Sequence, residues 1–420
     1  MNNEHITKVL RKALDARVYG GTVSGVLFYD LDFFRDTITD IQKKFPPATL
    51  HAIAVKANPL AVLLREACAL GMGAECASLP EVHHALRLGF VPDKIVFDSP
   101  AKTQEELALA VEKGIYINVD NFQELERLAK IAASSKKTIR AGIRINSQTG
   151  AGSYIGTSTA IPTSKFGVPL SDNPDKIIEA YCKYPWLVGL HIHTGSQFCS
   201  LELVVQGVEL IVKLAAQIAD RRGKPIELID IGGGLPANYG DDNKGTNLER
   251  YLELLHQKAP ELFKYKLVTE FGRAVSAKAG WAASRVEYTK RSGGAKIAVV
   301  HLGADFMVRT AYVPDVWKHR VSVFGGDGNP KLGDSCLQDI AGPLCFTNDY
   351  VAKGCLLPEI EQGDTVVIHD VGAYTLSMWS RYNSRPTPAV YGYEINGDSV
   401  KLKPIKPAES VDDVLRFWGK

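Results

Sequence analysis

A lysine closes the short apolar run His51-Ala52-Ile53-Ala54-Val55-Lys56, and Asn58-Pro59 then breaks the pattern. The run has strand character, so it delivers the Lys56 amine to the rim of a sheet, partly out of water. Desolvation disfavours the ammonium form, and a neutral amine can form a Schiff base with a carbonyl. A strand-end lysine can equally snorkel its charge to solvent, and three later strand ends decide between the two. In Leu190–Gln197, alternation puts His191 and His193 on one face, and a turn carrying Ser196 follows. No cysteine or carboxylate nearby in the sequence completes a metal set around these histidines. The reading is therefore a flat ring and a hydroxyl beside an organic cofactor, with no metal. In Leu228–Pro236, the glycines Gly232, Gly233 and Gly234 follow an apolar strand, as a turn that aims N–H groups at phosphate would require. The spacing is neither that of a Walker loop nor of a dinucleotide fingerprint. In Val268–Arg273, Glu270 and Arg273 flank Phe271-Gly272. Alone they read as a local ion pair. Beside a phosphate turn, Arg273 offers a bidentate contact and Glu270 a carboxylate that holds a proton on a ring nitrogen. Amine, flat ring, phosphate devices and ring-nitrogen carboxylate together are the complement of pyridoxal 5′-phosphate.

Something must bring these strand ends together. From about residue 35 to 285, helical and strand patterns alternate at the spacing of βα units. Strands are expected at Leu50–Val55, Gly73–Glu75, Lys94–Phe97, Ile115–Val119, Arg140–Ile145, Leu187–His193, Pro225–Ile231 and Lys266–Glu270. Eight units predict an α/β fold, a closed (β/α)₈ barrel with its chemistry at the C-terminal ends of the strands. An open doubly wound sheet is the rival. After residue 285 short β-rich runs replace the helices, predicting a C-terminal all-β domain over 286–420. Residues 1–34 read as a helix and a strand, Val23–Leu31, that joins the β domain.

The composition excludes several classes. With 49 basic and 47 acidic residues among 420, the net charge is +2, and no field of one sign points to nucleic acid. No apolar run is long enough to span a bilayer, and the N-terminus lacks a signal-type apolar core. Seven scattered cysteines without CxxC pairs are read as reduced thiols in a cytoplasmic protein.

These motifs, in this order, resemble the group-IV, alanine-racemase-fold (fold type III) pyridoxal-phosphate decarboxylases, which include the diaminopimelate and ornithine enzymes. The resemblance runs from about Val26 to Tyr391. AVKAN supplies Lys56, HIHTGSQ supplies His193 and Ser196, IGGGLP supplies Gly232–Gly234, and EFGR supplies Glu270, Gly272 and Arg273, with Phe271 where the family usually has proline. Arg144 in GIRIN and SKFG at 164–167 also fit. GPLCFTND aligns with the family's cysteine motif and Gly372-Ala373-Tyr374 with its G-A-Y motif. The resemblance implies decarboxylation of an amino acid through a Lys56 Schiff base. It further implies that Tyr374 contacts the cofactor phosphate and that Cys345 donates a proton in the partner's site of a homodimer. Arg309, Phe346, Asp349 and Tyr374 become candidates for substrate contacts.

The resemblance has departures. In the diaminopimelate and ornithine enzymes the residue after the motif cysteine is acidic and contacts a distal amine; here it is Phe346. Arg309 is kept in RTAYV, where the diaminopimelate enzymes read R-P-A-L-Y. Desolvating an ammonium against an apolar ring is costly, although a cation–π contact offsets part of this. The expectation is a modified or acidic amino acid, such as a siderophore-type conjugate, with diaminopimelate and ornithine poor. The alternatives are a diaminopimelate or other diamino-acid decarboxylase, a racemase on the same scaffold, and a non-catalytic regulator. Intact Lys56, Glu270, Arg273 and Cys345 argue against the last.

Overall fold

The protein is described by a computed structural model covering residues 3–242 and 247–420. The first strand, β1 (Gly25–Asp30), precedes a run of parallel strands: β2 (Leu50–Ala54), β3 (Gly73–Cys76), β4 (Ile95–Asp98), β5 (Tyr116–Val119), β6 (Ala141–Asn146), β7 (Val168–Pro169), β8 (Leu187–Ile192), β9 (Leu228–Asp230) and β10 (Lys266–Thr269). Their order is β5-β4-β3-β2-β10-β9-β8-β6, and β5 pairs with β6 in turn. Eight parallel strands thus close into a barrel, which removes the open-sheet alternative. The two-residue β7 is an addition beside β6 that the sequence pattern did not announce. The barrel falls in one compact unit, Thr37–Pro236 together with a later segment that ends at Ala274.

Capping fixes where the barrel helices begin. Thr103 makes a capping box with Glu106 at the start of Gln104–Lys113, which ends on Gly114 in the left-handed region. Asn121 and Ser200 accept from Glu124 and Leu203 N–H at the starts of Phe122–Ser134 and Leu201–Arg222. Between β4 and β5 lies a buried lysine. Lys102 Nζ donates to the carbonyls of Ser99 (2.6 Å) and Asn118 (2.8 Å) and pairs with Glu124 at 2.9 Å.

The barrel interior changes character along its length. One apolar cluster holds Ala52, Val96, Tyr116, Val188, Leu228 and Val268. Two residues further along four of these strands, on the same face by alternation, stand Asp98, Asn118, Asp230 and Glu270, all buried. An apolar plug therefore lies beneath a polar layer at the strands' C-terminal ends.

The second unit takes the chain up to Asp36, a short segment beginning at Ala237, and Val275–Lys420. Its strands are β1, β11 (Gly280–Ser292), β12 (Ala295–Val300), β13 (Val321–Phe324), β14 (Ser335–Ala341), β15 (Tyr350–Pro358), β16 (Thr365–Ile368), β17 (Ala389–Asn396) and β18 (Ser399–Lys406). The main path is β15-β14-β12-β11-β1-β17-β18, with β16 pairing β11 and β13. β1 lies antiparallel to β11 and parallel to β17. The N-terminal helix, Asn3–Asp15, buries Ile6, Val9, Leu10 and Ala13 in the same core as Phe28, Trp281, Phe324 and Tyr393. Phe28 stacks on Trp281 at 4.5 Å between ring centroids. Among the described residues no helix is long and apolar enough to cross a membrane.

Candidate active site

Lys56 sits in the 3₁₀ turn Val55–Ala57 directly after β2. Its Nζ donates to Glu75 Oε2 at 2.5 Å, from the end of β3. Glu75 is wholly buried, and burial, opposed by Lys56 and helped by Glu270 and Asp98, pushes its carboxyl up to about 8. Sequence reading missed Glu75; a lone acid closing an apolar barrel strand was the available signal.

The segment after β10 is packed against the Lys56 turn. A Cβ on Gly272 would come within 2.7 Å of the Ala57 Cβ and 2.9 Å of the Ala54 Cβ. Phe271 points away into a buried aromatic group, 6.0 Å from Phe45 and 6.4 Å from Tyr251 between centroids. The ring therefore anchors this turn, which is what stands in place of the family's proline. Glu270 is 5% exposed. Burial opposes its charge, yet His191 beside it holds the carboxyl down at about 2. Glu270 Oε2 is 3.5 Å from His191 Nε2, and Glu270 Oε1 has no hydrogen-bond partner among the described residues. Arg273, also buried, opens the short helix Arg273–Ser276.

The three glycines follow β9. Gly232 (φ 66°) and Gly234 (φ 106°) occupy the left-handed region. A side chain on Gly232 would strike the Ile192 carbonyl, and one on Gly233 would come within 2.6 Å of the Glu270 carbonyl. The Gly233 N–H donates to His193 Nδ1 at 3.1 Å. That bond needs an unprotonated Nδ1, and burial pushes the His193 ring down to about 3. His193 is therefore a neutral, half-buried ring. The Ser196 N–H donates to the Thr157 carbonyl at 2.9 Å, which ties the turn after β8 to the loop between β6 and β8.

Two further acids and an arginine complete the interior. Arg144 Nη1 donates to Asp98 Oδ2 at 2.6 Å, with both side chains under a tenth exposed. Burial opposes the Asp98 charge, but Arg144, then His191 and Lys102, hold its carboxyl well below the usual range. Arg144 also lies over Phe166 of the SKFG segment, 4.6 Å from the ring centroid. His191 Nδ1 is 3.9 Å from Asp98 Oδ1. Space thus supplies the carboxylates that the local sequence around the histidines lacked: one donor atom each of Asp98, His191 and Glu270 lie within 4.8 Å of one another. The Arg144 guanidinium already neutralises Asp98 there.

The remaining sequence candidates lie in the second unit. The Arg309 guanidinium stands 4.7 Å from the ring centroids of both Trp317 and Tyr374. Tyr374 has a left-handed backbone, φ 58°. Phe346 stacks on Tyr312 at 5.2 Å between centroids. Cys345 is exposed; its N–H donates to Asn383 Oδ1 (2.8 Å) and its carbonyl accepts from the Tyr382 hydroxyl (3.0 Å). Asp349 is buried, and its two oxygens accept the N–H groups of Ala304 (2.5 Å) and Leu344 (2.6 Å). In this arrangement Asp349 shapes the cysteine loop.

A barrel whose mouth carries a paired lysine, an ionised carboxylate and a backbone turn without side chains defines a site for a charged, aldehyde-bearing cofactor. Residues 31–277 match the family model described as the pyridoxal binding domain of the pyridoxal-dependent decarboxylases. The chain belongs to that family, its cofactor is pyridoxal 5′-phosphate, and it is a decarboxylase. Its relatives include diaminopimelate decarboxylase from Aquifex aeolicus, 32% identical over 92% of this chain and 90% of that one, and the Helicobacter pylori enzyme of the same name, 30% identical over 93% and 94%. The crystal structure of diaminopimelate decarboxylase from Helicobacter pylori complexed with L-lysine superposes with a TM-score of 0.84 at 27% identity, covering 96% of this chain and 98% of that one.

The site fits the cofactor on two counts. The buried, ionised Glu270 keeps one oxygen without a partner among the described residues, as an acceptor for a protonated ring nitrogen requires. The turn at Gly232–Gly234 has no room for side chains, so its backbone is what it presents.

Proposed function

We propose that this chain removes the α-carboxylate of an amino acid whose far end carries a second carboxylate, with meso-diaminopimelate the first substrate to test. The observation that carries the chemistry is the Lys56 amine, held at 2.5 Å by a buried carboxylate at a barrel strand end, in the same unit as the ionised Glu270. In this reading Lys56 is the residue whose amine would hold the cofactor covalently. Glu270 would hold a proton on the ring nitrogen, and the neutral His193 would offer the ring a flat partner. Gly232–Gly234, Ser196, Arg273 and Tyr374 take the phosphate. Bound pyridoxal 5′-phosphate supplies the electron sink for the pair left behind when CO₂ departs. Lys56, or Cys345 of a second copy, then returns a proton to the α-carbon. The working form is a homodimer with composite sites, which accounts for a motif cysteine whose backbone is held at both sides while its residue stays exposed.

The relatives' names favour diaminopimelate over the conjugate expected from the sequence. Arg309, braced between two rings, is a fixed guanidinium suited to a distal carboxylate. A second reading, a conjugated or otherwise acidic amino acid, rests on Phe346, whose stacking on Tyr312 offers a distal ammonium no carboxylate. CO₂ release from meso-diaminopimelate, ornithine and acidic or conjugated amino acids separates the two. kcat/KM for diaminopimelate of about 10⁴ M⁻¹s⁻¹ or more supports the first, and preference for a conjugate the second. Glu270→Gln should keep the cofactor but slow turnover by orders of magnitude, and a rate within about threefold of the parent, under ~0.7 kcal/mol of barrier, removes that role from Glu270.

A further inference from the structure

The strand register places Arg144 of β6 beside His191 of β8, and His191 beside Asp230 of β9. Arg144 is bonded to Asp98 at 2.6 Å; His191 lies 3.9 Å from Asp98 and 3.5 Å from Glu270. Guanidinium, carboxylate, imidazole and carboxylate therefore alternate through the barrel interior. The His191 side chain has no solvent exposure, and neither ring nitrogen has a hydrogen-bond partner among the described residues. A neutral imidazole in this place would turn a lone pair toward one of two buried carboxylates. A ring with both nitrogens protonated presents a positive N–H edge to each.

We propose that His191 is a positioning residue that acts as a fixed cation, anchored by Asp98 and holding Glu270 ionised and oriented toward the cofactor. Every other charged or titratable group facing it is compatible with this. Burial and the like charge of Glu270 push the Asp230 carboxyl well up, His191 and the Gly232 N–H draw it back, and it accepts from Asn118 Nδ2 at 3.1 Å. His193 is neutral, and Lys56 and Glu75 pair with each other. For His191 itself, burial works against the charge, but Glu270, Asp230 and Asp98 outweigh it and raise the ring to about 9.

The inference rests on the reading that Glu270 serves the ring nitrogen, but its first test does not need the cofactor. Ring ¹⁵N resonances of the cofactor-free chain, labelled at its ten histidines, should show His191 doubly protonated at pH 7.5, with a midpoint near about 9. Glu270→Gln should lower that midpoint, which also assigns the signal. A neutral His191 at pH 7.5 overturns the proposal. The second test uses the loaded enzyme. In His191→Gln the Glu270 carboxyl rises, so its ionised form is lost as pH falls. The cofactor's visible absorbance should persist, while kcat falls about tenfold per pH unit below a new midpoint and recovers toward the parent at high pH. A uniform loss with the parent's pH profile overturns the proposal. An active Glu270→Gln enzyme would instead overturn the assigned role of Glu270, and leave the ¹⁵N result to stand or fall separately.

Discussion

Replacing Arg144 by methionine tests how the barrel keeps its charges. The Arg144 and Asp98 side chains are 7% and 3% exposed, so water cannot take over from the lost partner. Removing one member of a buried ion pair costs about 3–5 kcal/mol, because the survivor becomes an uncompensated buried charge. Methionine keeps an apolar contact with Phe166, and His191 remains 3.9 Å from Asp98. Both reduce the loss, so about 3 kcal/mol is expected, a large share of a stability of about 5–15 kcal/mol. The pH dependence carries a definite sign. In the parent, the Asp98 carboxyl is held below its ordinary value, so its stabilisation is present above about pH 4 and is lost as pH falls further. Without Arg144 the buried carboxyl rises and takes up a proton at higher pH, so the gap between variant and parent should shrink on acidification. Urea unfolding of the cofactor-free chain, followed by circular dichroism at pH 7.5 and 4.5, measures both. A loss under about 1 kcal/mol at pH 7.5, or a gap that widens at pH 4.5, refutes the reasoning.

Lys102→Met should destabilise the barrel by a similar ~3–5 kcal/mol by stranding Glu124, and Lys102→Met/Glu124→Leu should recover most of it in the same unfolding assay. Gly232→Ala combines a left-handed backbone, about 1–2 kcal/mol, with collision against the Ile192 carbonyl, and unchanged thermal stability would contradict the packing described. Lys56→Ala should lose turnover and the cofactor's visible absorbance together. Mixing it with Cys345→Ala chains should restore activity through heterodimers that keep one intact site, and persistent inactivity despite proven subunit exchange removes the shared site.

Much of the barrel was legible because its strands obey a simple alternation. Val96 and Asp98, Tyr116 and Asn118, Leu228 and Asp230, and Val268 and Glu270 are each two residues apart, so an apolar plug and a polar rim are written on one face of four barrel strands. Strands β14 and β15 escaped for the opposite reason. Leu337 and Leu356 oppose each other yet are each 67% exposed, the polar Gln338 is buried on β14 along with Ile340, and two register shifts interrupt the ladder. Hydrophobic alternation does not announce a strand that buries a glutamine and turns a leucine outward.

The site was legible in its motifs but not in its charge balance. Lys56, His193, the three glycines, Glu270 and Arg273 each close a strand or fill a turn, and local sequence shows that directly. What makes Glu270 an anion is His191 on β8, steadied by Asp98 on β4, which Arg144 on β6 neutralises. Those four residues come from four strands, and only closure of the barrel sets them 2.6 to 3.9 Å apart. Asp349 makes the converse point. Its place in the cysteine motif suggested a substrate contact, yet two backbone N–H groups occupy its carboxylate. A buried acid can thus be held for loop geometry in one unit and for charge in the other, and the partners that decide between these uses are distant in sequence.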